Sequence, residues 1–206
     1  MGVAAVIGSY LFGGIPIGLL VGRARGIDDI RKYGSGNIGA SNVLRVIGVK
    51  AGLFVWLADA LKGLAPVLVA RLVLGLPDVW VAATALGALV GHCCSIYLRF
   101  TGGRGVSTSL GVAIGLDWRV GVIAFTVWLV VVALTRYISL ASMLGVGAGA
   151  GLMYLFGTPM PFALAMTLVT AIVVVRHAAN IQRLLNGTER KIGQKERPAA
   201  DAEAAP

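Results

Sequence analysis

GVSTSLGVAIGL, residues 105–116, is apolar enough to enter a bilayer and too short to cross one in the ordinary way. As a helix it would extend about 18 Å, against a hydrocarbon core about 30 Å thick. Five long apolar segments, 3–22, 51–75, 79–98, 118–134 and 138–156, and a sixth at 161–175, lie around it. Whether the short segment crosses therefore sets the side on which the rest of the chain lies. Charge arbitrates. If it crosses and the N-terminus is outside, the inside receives Arg23, Arg25, Arg31, Lys32, Arg45 and Lys50, then Arg99 and Arg104, then Arg136, then the basic run from Arg176 to Arg197. Arg71 and Arg119 fall outside and Lys62 falls within a span. If it does not cross, Arg136 and the basic tail move outside, against the positive-inside rule. The reading is an all-α integral membrane protein of seven transmembrane helices, one of them short (105–116), with the N-terminus out and the C-terminus in.

Composition agrees. The 206 residues are 57% hydrophobic and 13% charged, with a mean hydropathy of +0.85, and a soluble domain carries nearer a quarter of charged residues. A single transmembrane domain over 1–193 is expected, followed by a disordered cytoplasmic tail over 194–206, rich in Ala, Pro and charge. The net charge of +9 sorts by side of the membrane, and no nucleic-acid partner is expected. Segment 3–22 reads as a retained span, because no basic region precedes it and no small-residue cleavage site follows in a polar region. Cys93 and Cys94 are adjacent, a poor arrangement for a disulfide or a zinc site, and read as apolar filler.

With this topology every polar stretch lies on the inner side: 23–50, 99–109, 135–142 and 176–191. The first, YGSGNIGASNVLR (33–45), contains Gly34, Gly36 and Gly39 in G-x-G-x-x-G order. A dinucleotide fingerprint would follow a strand, and here a membrane span precedes it; a P-loop would require Gly-Lys where Ala40 and Ser41 stand. The shared physics survives: glycines let backbone N–H groups converge on an anion, with Ser35, Gly36 and Asn37 in the loop and Ser41, Asn42 and Arg45 at helical spacing after it. FTGGRGVSTSLG repeats the design, with Gly102, Gly103 and Gly105 around Arg104 at the start of a helix. TRYISLAS adds Ser139 and Ser142. RHAANIQRLLNGTERK puts His177 and Asn180 on one face, with Arg183 a turn further. Four clusters of one composition on one side describe a phosphate-rich substrate site.

GSGNIGASNVLR, GHCCSIYLRFTGGRGVSTSLG, TRYISLAS and HAANIQRLLNGTE stand in the order of the motifs of the PlsY family, and the chain resembles that family from residue 3 to about 191. The resemblance implies transfer of a fatty acyl group from acyl phosphate to the 1-hydroxyl of sn-glycerol 3-phosphate, giving lysophosphatidate and phosphate as the first acylation of phospholipid synthesis. It also implies seven helices, a bacterial plasma membrane and an active site facing the cytoplasm. By motif position, Ser35, Ser41, Arg45, Arg104, Ser142, His177 and Asn180 are its expected polar site residues. The chain departs from the family pattern with Ser41 for Thr, Arg104 for Lys, Ser95 for Pro and Ala178 for Arg. Arg for Lys keeps the charge and changes the shape.

Acyl phosphate is already activated, so the site need only align the acceptor, neutralise two phosphates and stabilise the one that leaves. Arg45 and Arg104 are assigned to phosphate charge, and Ser35, Ser41, Ser142 and the glycine-loop amides to phosphate hydrogen bonds. Asn180 is assigned to orientation, and His177 is the candidate base, with a substrate phosphate as the alternative. No cofactor is expected; neither magnesium nor nucleotide dependence is indicated, and a monomer in the lipid bilayer is the expected state. His92 reads as structural. Asp59 and Lys62, three apart in the second span, are expected to pair and face the bundle. The glycines of GAGAG (147–151), with Gly14 and Gly18, read as helix-packing surfaces. Neither His92 nor His177 is followed by the aspartate of H-x4-D acyltransferases. A transporter for phosphate or a phosphorylated solute is the reading from another class, and it lacks the internal repeat and trans-membrane polar path it should show.

Overall fold

The computed structural model describes residues 1–194, and the tail expected to be disordered lies, apart from Gln194, outside the described residues. The described chain is helical: α1 (Gly2–Gly14), α2 (Ile17–Ala24), α3 (Ala40–Val46), α4 (Val49–Leu68), α5 (Asp78–Cys93), α6 (Val106–Leu116), α7 (Trp118–Thr135), α8 (Ile138–Leu155), α9 (Met160–Arg176) and α10 (Ala178–Leu185). Four stretches are apolar and long enough to cross a membrane: Gly2–Ala24, Val49–Val73, Trp118–Thr135 and Ile138–Leu155. A fifth, α9, bends by 61° into α10, and α5 and α6 are shorter apolar helices.

Two expected spans differ in detail. Segment 3–22 is broken. Proline disfavours helical backbone in the residue before it, so Ile15 leaves the helix ahead of Pro16, and its freed carbonyl accepts a 2.6 Å hydrogen bond from Lys62 Nζ on α4. Segment 79–98 does not stay helical to its end. The helix stops at Cys93, and the chain folds back through a short turn at Ile96–Leu98 so that Ser95 pairs with Thr101. Ser95 donates from Oγ to Gly14 O at 2.6 Å and ties this turn to the broken span.

The short segment forms α6, wrapped by α4, α5, α7, α8 and α9. Most of its residues are buried, from Thr108 to Leu116, so it presents protein rather than lipid with its surface. Close approach to α4 depends on two glycines: a Cβ on Gly63 would strike Thr108 O, and one on Gly111 would strike Ala60 O. At its far end Arg71, from a π-helical turn at Val69–Val73, donates to Leu116 O at 2.7 Å, satisfying a helix-terminal carbonyl. α1 packs on α5 in the same manner, with Gly13 against Ala88 O and Gly91 against Tyr10 O. Tight packing positions therefore include Gly13, Gly91, Gly63 and Gly111, and of the expected pair Gly18 is one, where a Cβ would strike Ile38 O, while Gly14 meets Ser95 Oγ and Gly91 O less closely. In GAGAG, Gly151 meets no neighbouring atom and Gly149 has only ordinary contacts, so that stretch is not a tight seam. Large apolar side chains such as Leu53, Phe54, Leu57 and Leu61 are exposed along α4, as a lipid-facing helix requires.

Candidate active site

A cavity of about 620 Å³ opens between the inner ends of these helices, and all four polar clusters contribute to it. Along α8 its lining runs from Ser139 and Ser142 in the first turns to Gly145, Val146 and Gly149, a descent of about 15 Å. The upper wall is polar. The lower wall is Leu53, Leu110, Ala113, Met166 and the aromatic row Trp56, Phe125 and Trp128, in which Phe125 and Trp128 stack at 5.8 Å. Gly145 and Gly149 line its α8 side, and a Cβ at 145 would crowd Ala124 O and the Trp128 side chain on α7.

The first cluster is built by Asn42. Its Oδ1 accepts from Ser35 N at 2.7 Å, and its Nδ2 donates to Ile30 O at 3.1 Å and Asn37 O at 2.7 Å. Fully buried, it clamps the glycine loop from below. It was expected to touch substrate; one position from Ser41 on a helix turns it about 100° away, and the structure puts it beneath the site. Ser41 and Arg45, four apart on α3, face the cavity with Ser35, Asn37 and Gly39. Gly36 does not; its φ of +70° serves the turn.

The second cluster divides in the same way. Arg104 and Gly105 line the cavity, joined by Ser107 and Ser109, whereas Gly102 and Gly103 lie behind them. Gly103 N donates to His92 O at 3.1 Å, and Arg176 donates to Gly102 O at 2.7 Å and to Gly103 O at 3.1 Å. Gly105, at φ +83°, turns the chain into α6. Neither Arg45 nor Arg104 makes a hydrogen bond or ion pair within the described residues. Burial, then the charge of Arg183, lowers the proton affinity of Arg104 below that of a free guanidinium, with the Glu189 carboxylate acting in the opposite sense; it stays charged.

The third and fourth clusters meet on a residue that sequence reasoning missed. Glu189 Oε1 accepts from Ser139 Oγ at 2.7 Å and from Asn180 Nδ2 at 2.6 Å, and Oε2 accepts from Arg183 Nε at 2.7 Å. Burial works against its charge, but the hydrogen bonds from Ser139, Asn180 and Arg183 outweigh it and hold the carboxyl below its usual range. Glu189 thereby docks the segment after α10, so that Arg190, Lys191 and Ile192 form part of the wall. Within the described residues Asn180 Oδ1 is buried without a hydrogen-bond partner.

Ser142 faces the cavity while donating to Ile138 O at 2.7 Å. His177 Nδ1 lies 2.8 Å from Val173 O. A carbonyl only accepts, so Nδ1 carries the proton and, in the neutral ring, Nε2 carries the lone pair. Asp59 and Lys62 pair at 2.9 Å, both buried, as expected. Asp59 also reaches the cavity, as does His92.

Comparison with known proteins agrees with this geometry. The glycerol-3-phosphate acyltransferase family profile matches residues 3–187. The chain is 46% identical over 191 residues to a glycerol-3-phosphate acyltransferase of Synechococcus sp. (strain JA-3-3Ab), covering 93% of each chain. It is 49% identical over 187 residues to one of Geobacter sulfurreducens, covering 89% of this chain and 93% of that protein. Its structure superposes on crystal structures of PlsY, an integral membrane glycerol 3-phosphate acyltransferase. The glycerol 3-phosphate form has a TM-score of 0.90 at 35% identity, covering 93% of this chain and 96% of that one. The lysophosphatidic acid form has a TM-score of 0.88 at the same identity, covering 93% and 95%.

Proposed function

Since the chain belongs to the glycerol-3-phosphate acyltransferase family and acylates glycerol 3-phosphate, we propose that its acyl donor is acyl phosphate and that the polar wall of the cavity is where transfer occurs. The observation that carries this reading is the pairing, in one cavity, of two guanidiniums that make no hydrogen bond or ion pair among the described residues, Arg45 and Arg104, with a long apolar lower wall. Such a site suits a phosphorylated acceptor beside an amphiphile whose head is a phosphate and whose tail is a hydrocarbon.

In this reading Arg45 and Arg104 bind the two phosphates, with hydrogen bonds from Ser35, Ser41, Ser142 and the glycine-loop amides. The 1-hydroxyl of glycerol 3-phosphate attacks the acyl carbonyl, and the new ester C–O bond forms as the bond from the acyl carbon to the phosphate oxygen breaks. The electron pair leaves with phosphate, whose growing charge the guanidiniums meet. The hydroxyl proton passes to His177 Nε2, the lone-pair nitrogen of a ring oriented by Val173 O. Asn180, which lines the cavity and is held by Glu189, orients the acceptor.

The membrane arrangement belongs to the same proposal. Counting α1 and α2 as one broken crossing and α6 as a short one, with α4, α5, α7, α8 and α9, there are seven crossings. The N-terminus is outside and the basic C-terminal segment is in the cytoplasm of a bacterial cell, with 1–193 acting as one monomeric domain. The support is that the segments forming the polar wall are those the positive-inside rule assigns to the cytoplasm.

Donor competition tests the reading. Purified protein given glycerol 3-phosphate and, separately, palmitoyl phosphate or palmitoyl thioesters should form lysophosphatidate from the phosphate alone. Turnover of a thioester at a comparable kcat/KM would overturn the donor assignment while leaving the family activity intact.

A further inference from the structure

The mechanism above leaves one buried ionisable cluster unused: Asp59 and Lys62 on α4 with His92 on α5, each at most 4% exposed. An ammonium has three donors, and Lys62 meets three acceptors. These are Asp59 Oδ1 at 2.9 Å, Ile15 O at 2.6 Å and His92 Nδ1 at 3.4 Å. That assigns the histidine tautomer. A proton on Nδ1 would point at a cation, and the only carboxylate near it, Asp59 Oδ1, is 3.8 Å away, beyond hydrogen-bond range. The Nδ1 lone pair therefore faces Lys62, and the proton sits on Nε2.

The other edge of the ring lies against the loop that carries Arg104. Its Nε2 lies against Gly103, where any Cβ would collide with the imidazole. His92 O binds Gly103 N, and Arg176 holds the carbonyls of Gly102 and Gly103 from the other side. Arg104, the next residue, stands in the cavity with His92. Nε2–H has no hydrogen-bond partner within the described residues. The two histidines of the chain thus enter the cavity in opposite tautomers, His177 offering a lone pair and His92 a donor.

Building on the phosphate-site reading above, we propose that His92 is a substrate-contacting residue whose Nε2–H donates to a substrate phosphate oxygen beside Arg104. Asp59 and Lys62 are positioning residues that hold its tautomer. Asp59 pairs with the Lys62 ammonium at 2.9 Å, and Lys62 spends one donor on the carbonyl freed by the break at Pro16 and another on the ring. A neutral, pre-aimed N–H complements the guanidiniums without adding another charge to a site already rich in them.

The test compares His92→Phe, which fills the ring volume without a donor, with His92→Gln, whose amide N–H can reach the Nε2 position. A hydrogen bond to a charged group is worth about 1.5–3 kcal/mol, so His92→Phe should lower kcat/KM by about 10- to 150-fold. His92→Gln should recover most of that loss. A raised KM for glycerol 3-phosphate places the bond on the acceptor phosphate; a raised KM for acyl phosphate or a lowered kcat places it on the donor phosphate. Unchanged kinetics in folded His92→Phe, or equal losses in both folded variants, would overturn the proposal.

Nitrogen-15 NMR of the histidine-labelled wild type decides the matter if His92→Phe does not fold or if no acyl phosphate activity is found, because the chain has only two histidines. The expected spectrum shows His92 unprotonated at Nδ1 and protonated at Nε2, with the Nε2 signal shifted by saturating inorganic phosphate or glycerol 3-phosphate. A proton on Nδ1, or an Nε2 signal unmoved by both, would contradict it.

Discussion

Asn42 shows how finely a single residue divides site from support. Ser41, Asn42 and Arg45 are neighbours in sequence, yet only Ser41 and Arg45 face the cavity, while Asn42 makes three hydrogen bonds beneath it. Replacing Asn42 by Ala strands the N–H of Ser35 and the carbonyls of Ile30 and Asn37, at a cost of about 1–3 kcal/mol for a buried unsatisfied group. Thermal unfolding should shift down accordingly, and the KM for glycerol 3-phosphate should rise; an unchanged melting temperature would contradict the clamp. The residue types of this cluster were legible in the sequence, because glycine, small hydroxyls and arginine have few other reasons to gather at a membrane boundary. Their facing was not legible, since it depends on where α3 begins. Glu189 was missed for a related reason. A lone acid in a basic segment reads as solvated until the fold brings Ser139, from 50 residues earlier, within 2.7 Å.

At the scale of elements, the segment after α10 behaves as a wall latched at its start by the Glu189 carboxylate and further on by Arg136, which binds both backbone groups of Ile192. The Glu189 carboxyl is depressed in the folded protein, so its contribution is present above the ordinary carboxylate range and is lost as pH falls through the folded value. Amide-exchange protection over 186–189, corrected for the intrinsic pH dependence of exchange, should therefore be high at neutral pH and lost only as the pH falls below the ordinary carboxylate range. In Glu189→Gln that protection should already be lost at pH 7. Equal protection of the two proteins at pH 7 would remove the latch from the account. The apolar segments were readable from hydropathy, and four of them, with α9 and α10 together as a fifth, are long and apolar enough to cross a membrane. The break at Pro16 could have been read from the proline, but Lys62 capping the freed carbonyl could not, because Ile15 and Lys62 meet only when α1 and α4 pack. Small-residue spacing misled at GAGAG, since glycine on α8 leaves room for a cavity as readily as for a neighbouring helix.

For the whole molecule, the short helix α6 is the pivot. Buried on nearly every side, it brings the Arg104 loop to the same end of the bundle as α3, the start of α8 and α10, and four separate clusters become one polar wall above an apolar pocket. That single wall is the central claim, and Ser142 tests it because it comes from the cluster with the fewest other signals. Phosphate release and lysophosphatidate formation should be followed together in purified protein given palmitoyl phosphate, with and without sn-glycerol 3-phosphate, and in Ser142→Ala. Release that needs the acceptor, matches lysophosphatidate one for one and falls about tenfold in Ser142→Ala is the predicted result. Release without acceptor, or a folded Ser142→Ala protein with wild-type turnover and KM, would contradict it.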